Sequence, residues 1–339
     1  TLQSSTWGWI RPKDSPIEVF GFSLTIFVIT AGGVLLWAFV TWQHRRERHG
    51  KDPLVHMGLL GIVPLRSGLI GLFSQNLILM GVFFVIPLYL QLVIGLDALE
   101  TGIKMLPVSI TMFIASAVGS RLSGRFPVRG IVRAGLMTTV VAIVALLATV
   151  KPDLGDAGFA VSMAVLGVGM GLIVSQLGNV VQSSVDASGR GEAGGLQYTG
   201  QQLGSSLGVA LIGAIVLAGL TGAFVNQVES DTRIADEVSA QVSVAAQPGI
   251  DFVDSSQIEA AAAQADIDER TGAAIVDDYE TAQLQALKAG LLAAALLALV
   301  SLAFTGGLPH EEPARDGDPA DHEPAGSPVG VGRAVTRSG

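Results

Sequence analysis

The segment GSRLSGRFPVRGIVR, residues 119–133, carries an arginine at every fourth position: Arg121, Arg125, Arg129 and Arg133. On one continuous helix that spacing sets four guanidinium groups along one side, an arrangement that grips phosphate, free or in nucleic acid. Gly124, Pro127 and Gly130 interrupt such a helix, so the segment reads instead as a tight turn between two apolar stretches. A second set of residues with chemistry to offer consists of amides, hydroxyls and aromatics embedded in apolar runs. VSQLGNVVQSS places Gln176, Asn179, Gln182 and Ser183 at steps that share a helix face, and LQYTGQQLGSSLG does the same with Tyr198, Gln201 or Gln202, and Ser205. A third run adds Gln75, Asn76, Phe83, Phe84, Tyr89 and Gln91. Such groups do no acid–base work. They either bond helix to helix or line a polar cavity that recognises a ligand.

Other chemistries are absent. There is no cysteine, so no thiolate metal site, disulfide or thiol nucleophile can form. The histidines at 44, 49, 56, 310 and 322 sit in polar segments, and no two share the i, i+4 spacing of a helical zinc site. No metal ion and no enzymatic activity are expected. Gly167, Gly169 and Gly171 in LGVGMGL resemble a phosphate loop only in composition: no strand precedes them. Helix packing or a hinge accounts for them. Gly200, Gly204 and Gly208 form GxxxGxxxG, which clears one helix face for close approach of another backbone.

The elements that hold these residues must be membrane spans. Half of the 339 residues are apolar, only 14% are charged, and the mean hydropathy is +0.54, against about 25% charged in a soluble domain. Seven runs are long enough to cross a bilayer: about 19–42, 68–94, 103–122, 131–150, 159–182, 194–224 and 284–308. Placing 43–67, 121–133, 183–193 and the tail from 309 inside gives thirteen Lys/Arg against ten Asp/Glu there, and seven against nineteen outside. The positive-inside rule selects that orientation. The run at Arg45, Arg46 and Arg48 is an orientation signal, with anionic-lipid binding as the lesser use. Trp7, Trp9, Trp37 and Trp42 suit the two interfacial belts. No Asp, Glu, Arg or His occupies the centre of a span, and Lys104, one turn inside the third, can snorkel outward or meet a substrate. Pro87 and Pro107 kink the second and third spans. Residues 225–283 are expected to be an acidic extracytoplasmic loop, with a short helix capped by Ser256 and Glu259, either passive or covering an exit. Residues 1–18 precede the first span outside, 43–67 form a basic cytoplasmic loop, and 309–339 a disordered cytoplasmic tail. The chain begins at Thr1 with no signal peptide and reads as a piece of a longer protein.

The stretches FFVIPLYLQLVIGLDALETGIKMLP (83–107), GSRLSGRFPVR (119–129), LGVGMGLIVSQLGNVVQSSV (166–185) and GEAGGLQYTGQQLGSSLGVALIGAI (191–215) occur in a familiar order. The chain resembles the C-terminal half of the major facilitator superfamily drug:proton antiporters with fourteen transmembrane helices, the EmrB/QacA type. The resemblance implies an all-α integral membrane fold: a six-helix C-terminal bundle over 68–308, preceded by one extra central helix at 19–42. It also implies proton-coupled efflux of amphiphilic drugs or related metabolites by alternating access, in a bacterial inner membrane. The partners would be a small amphiphilic substrate, protons, the lipid bilayer and the missing N-terminal half, with no nucleic acid. No cofactor is needed, since the proton gradient supplies the energy. The proton-coupling acids of the family lie mainly in that missing half. Gly119, Arg125 and Arg129 match the second copy of the family's cytoplasmic loop motif, where Gly124 replaces the usual acid and Pro127 the second glycine. Arg125 and Arg129 are expected to contact a neighbouring helix end and hold one transporter state. The competing readings are a non-transporting receptor or scaffold, and an exporter of one endogenous metabolite.

Overall fold

Long apolar runs must satisfy every backbone N–H and C=O internally to cross a bilayer, so they become helices. A computed structural model describes residues 18–19, 22–49, 56–152, 155–246, 249–265 and 267–309. Seven of its helices are long and apolar enough to span a membrane. They are α1 (Leu24–Arg48), α2 (Val63–Leu88), α3 (Ala98–Leu122), α4 (Val128–Thr149), α5 (Asp156–Ser183), α6 (Arg190–Ser230) and α9 (Glu269–Ala303). Two short helices, α7 (Asp236–Ala246) and α8 (Ser255–Gln264), lie between α6 and α9. The only strands among the described residues are the two-residue pair Glu18–Val19 and Phe22–Ser23. This is the expected all-α bundle of six helices with one more before it.

Helix ends follow local signals. Gly95, at φ 78°, closes a five-residue π turn, Tyr89–Val93, that ends α2 just beyond Pro87. Asp97 and Glu100 then form a reciprocal capping box at the start of α3. Pro127 precedes α4 and sets its first residue apart from the end of α3. The four arginines are thereby split, with Arg121 on α3, Arg125 in the turn, and Arg129 and Arg133 on α4.

Packing sorts the six bundle helices into two layers. α3, α5, α2 and α6 lie side by side in that order, and α4 and α9 cover the back against α5, α2 and α6. Glycines make the crossings close. A Cβ at Gly204 would strike the carbonyl of Phe73, and one at Gly208 the carbonyl of Leu77, so this face of α6 lies directly on the backbone of α2. Gly200 is looser, since a Cβ there would lie 3.8 Å from the Leu69 oxygen. Gly167 and Gly171 meet α3 at Val108 and Met112, while Gly169 meets α4 at Gly135 and Thr139. The glycine triplet of α5 is a packing device on two sides of one helix. The core between the layers is apolar, with Val82, Ile86, Met163, Leu166, Met170, Ile143 and Leu291 fully or almost fully buried. In contrast α1 exposes Leu35, Leu36 and Trp37 and has no extensive packing with the bundle among the described residues.

Several boundaries differ from the sequence expectation. The basic run is helical, because α1 continues to Arg48 and so takes up part of the expected loop 43–67. Helix α2 begins at Val63 rather than 68. The larger change is at the acidic end. At 1.5 Å per residue the 41 residues of α6 span about 60 Å and the 35 of α9 about 50 Å, well beyond a hydrocarbon core of about 30 Å. With α7 and α8 their projecting ends make a helical cap over much of 225–283. Tyr279, fully buried, packs edge-on against Phe224 with centroids 5.7 Å apart, donates to the Asp251 carbonyl at 2.9 Å and accepts from the Val253 N–H at 2.9 Å. Helix α8 is present, but its N-cap is Asp254, not Ser256. Residues 1–17, Trp7 and Trp9 among them, and the tail from 310 lie outside the described residues.

Candidate functional site

On α2, Leu69, Phe73, Asn76, Met80, Phe83 and Pro87 recur every three or four residues and remain half-buried, forming the front strip of that helix. Asn76 donates to the Leu72 carbonyl at 2.9 Å, and its Oδ1 lies 3.5 Å from Ser205 Oγ on α6. Ser205 in turn donates to the Gln201 carbonyl at 2.9 Å. The crossing held by Gly204 and Gly208 thus brings Asn76 and the Gln201–Ser205 turn together, a polar contact in an otherwise apolar front. Phe84 points the other way along the seam, where a Cβ on Gly213 of α6 would lie 3.4 Å from its ring. Tyr198 is exposed on α6, and Asn179 on α5.

Four proposed cavity residues are placed elsewhere. Gln176 is 1% exposed, with Nε2 donating to the Gly119 carbonyl of α3 at 2.8 Å and lying 3.0 Å from Ser175 Oγ. It is a helix clamp, because the close approach at Gly119, where a Cβ would strike Ser175, leaves no room for a ligand. Tyr89 is fully buried, and its hydroxyl donates to the Lys151 carbonyl at 2.7 Å, tying α2 to the connection after α4. Gln91 is exposed on the π turn at the acidic end. Gln75 is 3% exposed within the bundle, and its Oε1 has no hydrogen-bond partner among the described residues. The shared face expected for Gln176, Asn179 and Gln182 is therefore divided. Gln176 holds α3, Gln182 approaches Gln197 of α6 at 3.4 Å, and only Asn179 is exposed.

At the basic end the expected helix-end contact exists with a different side chain. Arg133 Nε donates to Thr305 Oγ1 at 2.9 Å, just past the end of α9. Arg129 contributes its backbone N–H to the Pro309 carbonyl at 3.3 Å, while its Nε is buried without a partner among the described residues, and Arg125 is exposed in the turn. Two polar pairs had no sequence signal. Glu192, in the first turn of α6, takes the His56 backbone N–H at 2.8 Å and lies 2.8 Å from its Nδ1 across 136 positions of chain. They border an open cleft of about 700 Å³ with Ser183, Ser184, Asp186 and Ser188. Lys104 reaches Asp156 at the start of α5, so its ammonium does run outward along the helix. Among the described residues no group of three or more His, Asp or Glu could hold a metal ion.

A layered bundle with glycine crossings and a helix-end arginine is a scaffold for membrane proteins of several kinds, and comparison with known proteins narrows it. Residues 17–209, more than half of the chain, match the family model described as Major Facilitator Superfamily. The chain belongs to that family. Within the superfamily it is similar to the tetracenomycin C resistance and export protein of Streptomyces glaucescens, 25% identical over 250 residues that cover 73% of this chain and 44% of the relative. The multidrug efflux pump LfrA of Mycolicibacterium smegmatis is 27% identical over 262 residues, 77% of this chain and 49% of the relative. The drug efflux pump JefA of Mycobacterium tuberculosis is 30% identical over 211 residues, 62% of this chain and 39% of the relative. The chain spans about half the length of the curated relatives it matches. Like other members of the superfamily it is a multi-pass membrane protein, and not an enzyme.

Proposed function

We propose that this chain is the C-terminal half of a fourteen-helix drug:proton antiporter of the EmrB/QacA type, exporting amphiphilic compounds across a bacterial inner membrane by alternating access. One observation carries the reading. The two outermost helices of the front layer present long apolar stripes that no other described residue covers: Leu99, Ile103, Leu106, Ile110 and Phe113 on α3, and Leu203, Leu207 and Leu211 on α6. Between these stripes lie Phe83 and the polar contact of Asn76 with Ser205. A second six-helix half seated on α3 and α6 would turn this front into one wall of a midplane cavity. The names of the relatives, and their length of about twice the matched part, support the same reading.

In this reading Asn76, Gln201, Asn179, Tyr198 and the ring of Phe83 contact substrate, while Phe84, packed against Gly213, and Gln176, Gly119, Gly204 and Gly208 keep the wall rigid. No acid occupies the centre of a span here, so the proton-coupling groups belong to the other half, and the isolated chain should not transport. The test is export of amphiphilic dyes by the complete protein, with and without a proton uncoupler. Export that stops with the uncoupler, and whose substrate profile shifts in Asn76→Ala, is the expected result. Uncoupler-insensitive export would overturn the coupling, and ligand binding without flux in sealed vesicles would favour a receptor.

A further inference from the structure

We propose that the basic end of α4, together with the apolar outer faces of α4 and α9 beside it, is a binding site for an anionic phospholipid. The N-terminus of a helix carries partial positive charge and favours an acid in its first turn. Helix α4 has the reverse. Pro127 supplies no side-chain cap, the first turn holds no acid, and Arg129 stands there instead, with Arg133 one turn further on and Arg125 just before. Among the described residues no carboxylate lies within ion-pair distance of Arg121, Arg125, Arg129 or Arg133. Among the same residues Arg129 Nε is buried and unpaired, and Arg133 is held in place by Thr305 through Nε. Three guanidinium groups at a positive helix end, with no acid beside them, attract an anion.

What lies next to the arginines identifies the anion as a lipid headgroup. Exposed residues continue from Arg133 along the outer face of α4 as Met137, Val141 and Val144, an apolar column one to three turns away. The adjoining helix α9 carries its own column, Leu292, Leu296 and Val300, continued by Phe304 in the turn after it, beside Thr305. Phe126, also exposed, sits in the turn at the same level. A soluble phosphate would use only the arginines. A phospholipid uses both parts, its phosphodiester on Arg129 and Arg133 and its acyl chains along the two columns. Basic pockets between membrane helices on the positive side bind such headgroups. By tying α4 to the end of α9, the lipid would brace the back layer of the bundle.

Native mass spectrometry of the full 339-residue chain in detergent, titrated with phosphatidylglycerol or with phosphatidylcholine of the same acyl chains, tests the site. Wild type should retain phosphatidylglycerol about tenfold more tightly, and R129Q/R133Q should lower that affinity to the phosphatidylcholine level. Inorganic phosphate in large excess should not displace the lipid. R133K, which keeps the charge, should retain most of the preference. Equal retention of the two lipids by wild type overturns the proposal without recourse to any variant. Undiminished preference in a folded R129Q/R133Q, or full displacement by inorganic phosphate, overturns it as well.

Discussion

Gln176 Nε2 donates a 2.8 Å hydrogen bond to the carbonyl of Gly119, joining the middle of α5's polar segment to the last turn of α3. The bond and the glycine depend on each other, since only a residue without a Cβ lets α5 come close enough for the amide to reach. Gln176→Leu should therefore lower the melting temperature of the solubilised chain. The expected loss is about 1–2 kcal/mol, the scale of an interhelical hydrogen bond in a membrane bundle. Asn179→Leu, at an exposed position three residues on, should leave stability unchanged. If the two variants melt alike, Gln176 is not a clamp.

The α2–α6 crossing makes a sharper case. Gly208→Val introduces atoms where the Leu77 carbonyl stands, and the backbone must move. A loss of about 1–3 kcal/mol is expected, the usual cost of overpacking. Gly222→Ala, on the same helix with nothing within 4 Å of its Cβ, is the matched control. Cross-linking of cysteines introduced at Phe73 and Ser205 would report the separation of the helices directly: efficient in wild-type background, poor with Gly208→Val.

Tyr89 was a candidate for substrate contact by sequence, and its burial assigns it to structure. Tyr89→Phe removes the bond to the Lys151 carbonyl and should cost about 1 kcal/mol in stability. In the complete transporter it should leave the substrate profile unaltered. A changed profile at unchanged stability would return Tyr89 to the cavity.

The cap at the acidic end should loosen in acid. Asp231 has its pKa lowered by hydrogen bonds and charge from Arg233, which also meets Asp277 at 2.8 Å. A carboxylate depressed in the folded state contributes stability that is complete above its unfolded pKa of about 4 and disappears as pH falls through the lower folded value. Asp254 and Asp268, depressed by their N-cap hydrogen bonds to Ser256 and Thr271, act in the same direction. Hydrogen exchange in 231–280, corrected for its intrinsic pH dependence, should show protection constant from pH 7 to about 5 and falling below about 4. Asp231→Asn should flatten part of that fall. Protection that rises toward acid would contradict the assignment.

Composition and run length by themselves determined that the chain is a bundle of membrane helices, because a continuous apolar run of about 20 residues matches a spanning helix, whereas the strands of a closed barrel are shorter and alternate in polarity. The GxxxGxxxG pattern likewise determined a close helix face, since the absence of side chains is a local property, and Gly204 and Gly208 do lie on α2. The break in the arginine series was legible for the same reason, as Pro127 acts on its own neighbourhood. Which polar residues face a cavity was not legible. Gln176 and Asn179 are three positions apart on one helix, yet one is clamped under Gly119 and the other is exposed. Their difference is set by which helix lies alongside α5, a fact carried by no local sequence. The same holds for Arg133, whose partner Thr305 is 172 residues away, and for His56 and Glu192. A cap over 225–283 was one of two readings of the sequence, but its helical build was not legible, because its apolar residues, Val228, Ile234, Ile275 and Tyr279, are sparse in each segment and form a core only when α6 and α9 project together beyond the membrane. Helix periodicity fixes what each element can bury; the tertiary arrangement alone decides against whom.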